Sequence, residues 1–214
     1  MRKGFVTVPD TSNLAARRSP FEGHAPAQRP NAAGQTGVRL GASMVASVTQ
    51  ISTWISGVAG LEQALTAVLG EGVPALTGQT VQTAHGLLVR TGPEELLVIA
   101  DTDVDHSAWL RRHIASDVGA VTDLSHARCR IQVSGERCRD MLGKLFPIDL
   151  RLAPFPVDQA RLSGHHHVPC LIHRRGPEQF DLYVFSTYAL DQLDTLIDAA
   201  LEYGVALSDG TQVH

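Results

Sequence analysis

The residues best equipped for chemistry lie in two charged blocks set within strand-like sequence. Residues 121–130 read VTDLSHARCR, so Arg128 and Arg130 stand two apart. On a strand they share one face and leave Cys129 and Ile131 on the other. In the second block His173, Arg174 and Arg175 precede a Gly176-Pro177 turn, after which Phe180, Leu182 and Val184 alternate with Asp181 and Tyr183. Guanidinium groups hold carboxylates through paired hydrogen bonds. If the two strands are neighbours, Arg128 or Arg130 can pair with Asp181; the same arginines can instead meet acidic groups on another chain. Arg174 and Arg175 end a strand, and a strand end is expected at the surface, solvated or docked on a partner. Replacing both with alanine should then leave the chain's own stability nearly unchanged.

Other candidates carry less. His165-His166-His167 could present two imidazoles on one strand face, but no acidic or cysteine partner stands nearby to complete a zinc site, and a solvated hairpin tip is the expected reading. Asp123, Ser125 and His126 are too local for a triad, since His126 would point away from the other two; their expected role is to satisfy backbone groups at a turn. Cys129, Cys138 and Cys170 lack CxxC spacing and read as buried, reduced thiols of a cytoplasmic protein. No GxGxxG, GxxxxGK[ST], GxSxG or HExxH is present, so no catalytic residue, cofactor-binding residue or metal ligand is assigned on this chain.

The elements that must position these residues follow from periodicity. Residues 1–42 hold Pro9, Pro20, Pro26 and Pro30 without a sustained period and are expected to form a flexible N-terminal arm. Residues 47–55 alternate as a strand. Ser56 is a candidate N-cap, Leu61, Leu65 and Leu69 fall at helical spacing, and Gly70 stops the helix. Strands are expected at 79–89, 94–100 and 119–124, with a helix at 104–116. The order is β-α-β-β-α-β, the ferredoxin-like or split-βαβ unit, over residues 43–125. A second α+β subdomain spans 126–207. It has a strand at 128–133, a helix whose inner stripe is Cys138, Met141, Leu142 and Leu145, a proline-punctuated loop at 146–157, a hairpin around 164–167, a strand at 179–185 and a closing helix at 187–203. Residues 208–214 form a C-terminal tail. The fold class is α+β with mostly antiparallel sheets, and no long internal repeat is visible.

The totals fit a soluble globular protein of two small subdomains. Hydrophobic residues make up 43% and charged residues 19% of 214, enough to fill a core. The net charge of −4 argues against a nucleic-acid or anionic-membrane surface. No apolar run approaches the roughly 18 residues of a spanning helix.

Taken in order, VTDLSHAR (121–128), IQVSG (131–135), IDL (148–150), FP (155–156), LIHRR (171–175), FDLYV (180–184), YAL (188–190) and EYG (202–204) resemble the γ (small) subunit of heterotetrameric sarcosine oxidase, and the matching subunit of N-methylglutamate dehydrogenase. The likeness covers roughly residues 43–204 and is densest from residue 120. Two departures stand out: Arg151-Leu152-Ala153 where the family often has His-Pro, and Ser186-Thr187 where it often has Arg-Ser. The resemblance implies the fold of the folate-binding domains of glycine-cleavage T-protein. It implies a subunit of a complex that oxidatively demethylates sarcosine to glycine and formaldehyde or methylene-tetrahydrofolate. FAD, FMN, NAD and tetrahydrofolate are then expected on the partner subunits, α and β, with a small δ subunit as the fourth partner. The γ chain is expected to be non-catalytic, with Arg128, Arg130, His173, Arg174, Arg175, Asp181 and Tyr183 as candidates for the subunit interface. A stand-alone folate-binding enzyme of T-protein type is the alternative from another class.

Overall fold

The computed structural model describes residues 17–54, 57–69, 72–102 and 104–209. In chain order the elements are β1 (Ala27–Arg29), β2 (Val38–Met44), β3 (Ser47–Thr53), α1 (Val58–Leu69), β4 (Thr80–Thr83), β5 (Gly86–Gly92), β6 (Glu95–Ala100), α2 (His106–Arg111), β7 (Gly119–Asp123), β8 (Arg128–Ser134), α3 (Cys138–Leu145), β9 (Gln159–His165), β10 (Val168–Gly176), β11 (Gln179–Phe185), α4 (Ala189–Ala200) and β12 (Val205–Asp209). They form a seven-stranded sheet, β1-β12-β2-β8-β11-β10-β9, and a five-stranded sheet, β4-β5-β6-β3-β7. Every described pairing is antiparallel except β12 with β2.

Alternation along the strands sorts the side chains into layers. One face of the five-stranded sheet, with Ile51, Leu88, Leu96 and Val98, packs on Leu61 and Leu65 of α1 and Leu110 of α2. Its other face, with Val48, Leu87, Val89, Leu97 and Ile99, meets Ala160, Leu171 and Tyr183 of the larger sheet. The far face of the larger sheet, with Leu40, Ile131, Val133, Phe180 and Leu182, packs on α3 and α4. The chain is therefore layered helix, sheet, sheet, helix. Because both sheets are covered on both sides, β5 and β6 read as continuous apolar runs rather than alternations. Each fully buried Leu, Ile or Phe in these layers contributes about 1.5–3 kcal/mol.

The two halves repeat one plan. The order β3-α1-β4-β5-β6-α2-β7 recurs as β8-α3-β9-β10-β11-α4-β12. The strand order also recurs, with β2 inserted between β8 and β12. The repeat extends to sequence. Arg90-Thr91-Gly92-Pro93-Glu94 matches Arg174-Arg175-Gly176-Pro177-Glu178, and both segments carry the same register shift, between Arg90 and Gly92 and between Arg174 and Gly176. In both, the buried arginine turns back under its own hairpin. Arg90 Nη1 donates to Pro93 O at 2.8 Å and Arg174 Nη2 to Pro177 O. A repeated motif was thus present in a sequence that shows no repeat on general inspection, because only the hairpin residues retain it.

Several expectations are corrected. Residues 27–44 are not part of a loose arm: β1 and β2 belong to the larger sheet, and Val38 and Leu40 are in its core. The boundary expected at residue 42 falls inside β2. The strand expected at 79–89 is two strands, β4 and β5, reversed at Ala84-His85 where Gly86 has φ 118°. The helix expected at 104–116 is shortened to α2, which Asp105 caps by accepting from Ala108 N at 2.9 Å. Residues 208 and 209 continue β12 rather than opening a tail. Residues 1–16 of the arm, the N-cap Ser56, the helix stop Gly70 and residues 210–214 lie outside the described residues. No described helix is long and apolar enough to cross a membrane.

Candidate functional site

The polar residues converge between the two sheets. A cavity of about 320 Å³ is lined by Leu87, Ile99 and Ala100 from the smaller sheet, by Asp101 just past it, and by Arg130, His173, Arg175, Asp181 and Tyr183 from the larger one. Register brings the last group together: Tyr183 lies opposite Arg130 on β8 and Asp181 opposite His173 on β10. Arg130 Nη1 donates to Asp101 Oδ2 at 2.9 Å, with the aspartate side chain 64% exposed at the rim. Arg175 Nε lies 3.2 Å from Asp181 Oδ1, close enough for an ion pair but not aligned as a hydrogen bond. His173 is 5% exposed and neither ring nitrogen has a hydrogen-bond partner in the chain.

Burial sets the protonation of this layer. It raises Asp181 above the ordinary carboxylate value, against the opposing pull of Arg175 and Arg130. It raises the Tyr183 hydroxyl, and the Asp181 charge raises it further. It pushes His173 down to about 4, and Arg175 adds to this while Asp158 opposes it. The unfolded imidazole titrates near 6.5, so between these values the unfolded state binds more protons. Stability present above pH 6.5 is therefore lost as pH falls toward 4, by roughly 3 kcal/mol from this residue. His106 and His165 are shifted the same way by burial, and the raised Asp181 acts oppositely. Urea unfolding from pH 7.5 to 4 should give His173→Val a shallower loss than the parent chain. Parallel curves would remove His173 as a contributor.

Of the seven residues expected at a subunit interface, His173, Arg174, Asp181 and Tyr183 are buried within the chain rather than displayed on its surface. Arg174 departs furthest from expectation. It is 0% exposed, and donates Nε to Gly176 O at 3.1 Å, Nη1 to Leu150 O at 2.9 Å and Phe155 O at 2.8 Å, and Nη2 to Pro177 O. The strand end is interior because the Pro-punctuated loop after α3 folds over it. Arg128 does not meet Asp181. The register sets Phe185 opposite Arg128, and the guanidinium lies 3.8 Å from the centre of that ring; Gln132 stands opposite Asp181. Arg128, Arg130 and Arg175 retain partial exposure.

The remaining candidates have structural roles. Asp123 Oδ1 accepts from Ser125 N at 2.9 Å, and Ser125 Oγ accepts from Val48 N at 3.0 Å, closing the turn before β8. His166 and His167, at φ 49° and 65°, form the two-residue turn between β9 and β10, while His165 is buried with its ring 5.6 Å from that of Phe146 rather than solvated. Among the described residues no group of three or more His, Cys, Asp or Glu is placed to hold a metal ion. Burial raises the Cys129 thiol and pushes Cys138 and Cys170 up to about 12, so all three stay protonated and are poor nucleophiles. The arrangement is therefore equipped to bind and orient a polar group. Sequence reasoning missed Asp101 and Arg90; the second RxGPE segment was the signal that could have found Arg90.

No protein-family model matches the chain. Among curated proteins it is 31% identical to the sarcosine oxidase subunit gamma of Arthrobacter sp. over 193 residues, covering 89% of this chain and 93% of the relative. It is 30% identical to the subunit of the same name from Corynebacterium sp. strain U-96 over 203 residues, covering 94% and 97%. Among solved structures, a chain of the heterotetrameric sarcosine oxidase from Corynebacterium sp. U-96, in complex with pyrrole 2-carboxylate, superposes with a TM-score of 0.68 at 24% identity, over 77% of this chain and 85% of that one. The glycine cleavage system aminomethyltransferase T of Bartonella henselae gives 0.58 at 14% identity, over 81% of this chain and 48% of that one, which indicates a shared fold. With its layers, repeated ferredoxin-like plan and near full-length identity in view, the chain belongs to the sarcosine oxidase γ-subunit family.

Proposed function

We propose that this chain is the γ subunit of a cytoplasmic heterotetrameric complex that oxidatively demethylates sarcosine to glycine, releasing formaldehyde or passing the carbon to tetrahydrofolate. Its contribution is structural: it holds surface against the larger subunits, while FAD, FMN, NAD and tetrahydrofolate sit on α and β and a small δ subunit completes the assembly. The observation that carries this reading is the 31% identity running along 93% of a named γ subunit, which relates the chain to a whole subunit rather than to a shared module. The inert, buried thiols support a chain that leaves the redox chemistry to its partners and that works in a reducing compartment. The isolated full chain is expected to show no flavin absorbance near ~450 nm and no sarcosine-dependent oxygen consumption. Stoichiometric flavin on the purified chain, or turnover by it alone, would overturn the reading.

A further inference from the structure

We infer that the cavity between the two sheets is a binding site for a small carboxylate. By register, Val48 pairs with Ile99 in the smaller sheet as Arg130 pairs with Tyr183 in the larger. Counting from the shared RxGPE hairpins, Val89 corresponds to His173 and Leu97 to Asp181. Four positions facing the inter-sheet layer are thus Val, Val, Leu and Ile in one half and Arg130, His173, Asp181 and Tyr183 in the other. The fold accepts apolar residues at all four places, and the apolar set packs well. Stability does not require the polar set, since burying a charged or polar group without full hydrogen bonding is unfavourable.

The geometry of the polar set favours an acceptor carrying negative charge. Two guanidinium groups, Arg130 and Arg175, face a single deep carboxylate, Asp181; the second carboxylate, Asp101, lies out at the exposed rim. Buried polar atoms are left over. Arg130 Nε and Arg175 Nε make no hydrogen bond, and the His173 ring, itself 95% buried, lining the cavity and neutral with one donor and one acceptor, makes none through either nitrogen; Asp181 Oδ1 is the one carboxylate oxygen among them, so cationic donors outnumber it. A carboxylate brings two oxygens that can accept from these N–H groups together, in the forked geometry guanidinium groups prefer. A water occupies about 30 Å³, so a cavity of about 320 Å³ admits a molecule of several heavy atoms. The apolar wall of Leu87 and Ile99 would meet its carbon end.

The test uses the ¹⁵N-labelled full chain, titrated with sodium acetate and, separately, with sodium chloride at equal ionic strength. Saturable shifts in amides of β8, β10 and β11 are expected with acetate and not with chloride. The double variant Arg130→Val, His173→Val places in the cavity what the other half already holds at the same positions. It should keep the spectrum of a folded protein and weaken the apparent acetate Kd about tenfold or more, the loss expected when charge-assisted donors are removed. Absence of an acetate-specific response in the parent chain overturns the inference by itself, whether or not the variant folds. An unchanged Kd in a folded variant overturns it equally.

Discussion

Replacing Arg174 with alanine is expected to destabilise the chain by about 4 kcal/mol, one of the largest effects of any single side chain here. The guanidinium is fully buried and donates to four backbone carbonyls, of Leu150, Phe155, Gly176 and Pro177. It also lies 5.0 Å from the centre of the Phe180 ring. Leu150 and Phe155 belong to the Pro-punctuated loop after α3, which has no ladder of its own; Arg174 fastens that loop to β10 and the β10–β11 turn, beside a hydrogen bond from Arg161 Nη2 to Pro154 O at 3.1 Å. Alanine leaves the carbonyls without donors and opens a cavity under Phe155 and Phe180. Lysine should recover little, because a single ammonium cannot span four acceptors in a planar fork. Equilibrium urea unfolding checks this. A loss below about 1 kcal/mol would mean that the loop is held by other means. The outcome opposes what a surface arginine at a strand end would give.

Gly204→Ala is expected to cost roughly 3 kcal/mol, through the backbone. Gly204 follows the 3₁₀ turn after α4 with φ 74° and ψ 134°, a conformation that a β-carbon opposes. A Cβ added there would sit 2.0 Å from Gln35 O and 2.7 Å from Asn31 N, both backbone atoms that cannot rotate aside. The neighbouring bonds bind the N-terminal segment to the end of the fold: Gly37 N donates to Tyr203 O at 2.9 Å and Val38 N to Gly204 O at 3.1 Å. Displacing residues 31–35 should loosen β1 and the parallel β2–β12 pair together. Amide exchange should therefore speed in β1, β2 and β12 before the β9–β10 hairpin is affected. Unchanged stability and unchanged exchange would show that the segment is not fastened at Gly204.

Much of this was readable in the sequence, and the failures have physical causes. The stripe of Cys138, Met141 and Leu142 fixes the buried face of α3, and the spacing of Leu61, Leu65 and Leu69 fixes that of α1. These are local, periodic signals. β2 carries a local signal that was overlooked: Val38, Leu40, Ala42 and Met44 alternate with Arg39, Gly41 and Ser43 and face the core. The proline-rich sequence before it and the central glycine obscured that alternation, and its partners β12 and β8 are far away in the chain. Four of the seven residues expected at a subunit interface, His173, Arg174, Asp181 and Tyr183, are buried within the chain. Charge at strand ends reads as solvent-facing because isolated burial is unfavourable. Here a second sheet covers the face bearing Arg130, His173 and Asp181, and a loop covers Arg174. Neither cover can be inferred from alternation in one strand. The pairing of Arg128 with Asp181 failed by register: a four-residue offset put Phe185 where Asp181 was expected.

We propose above that this chain works as the non-catalytic γ subunit of a sarcosine-oxidising assembly. The most direct test is to tag the chain, purify it from its own cells under native conditions, and weigh the product by native mass spectrometry alongside its absorption spectrum. The expected result is a complex of four different subunits with this chain in stoichiometric amount, flavin absorbance in the complex, and sarcosine-dependent oxygen consumption. Recovery of the chain alone, as a monomer or self-oligomer with no flavoprotein attached, would contradict the account.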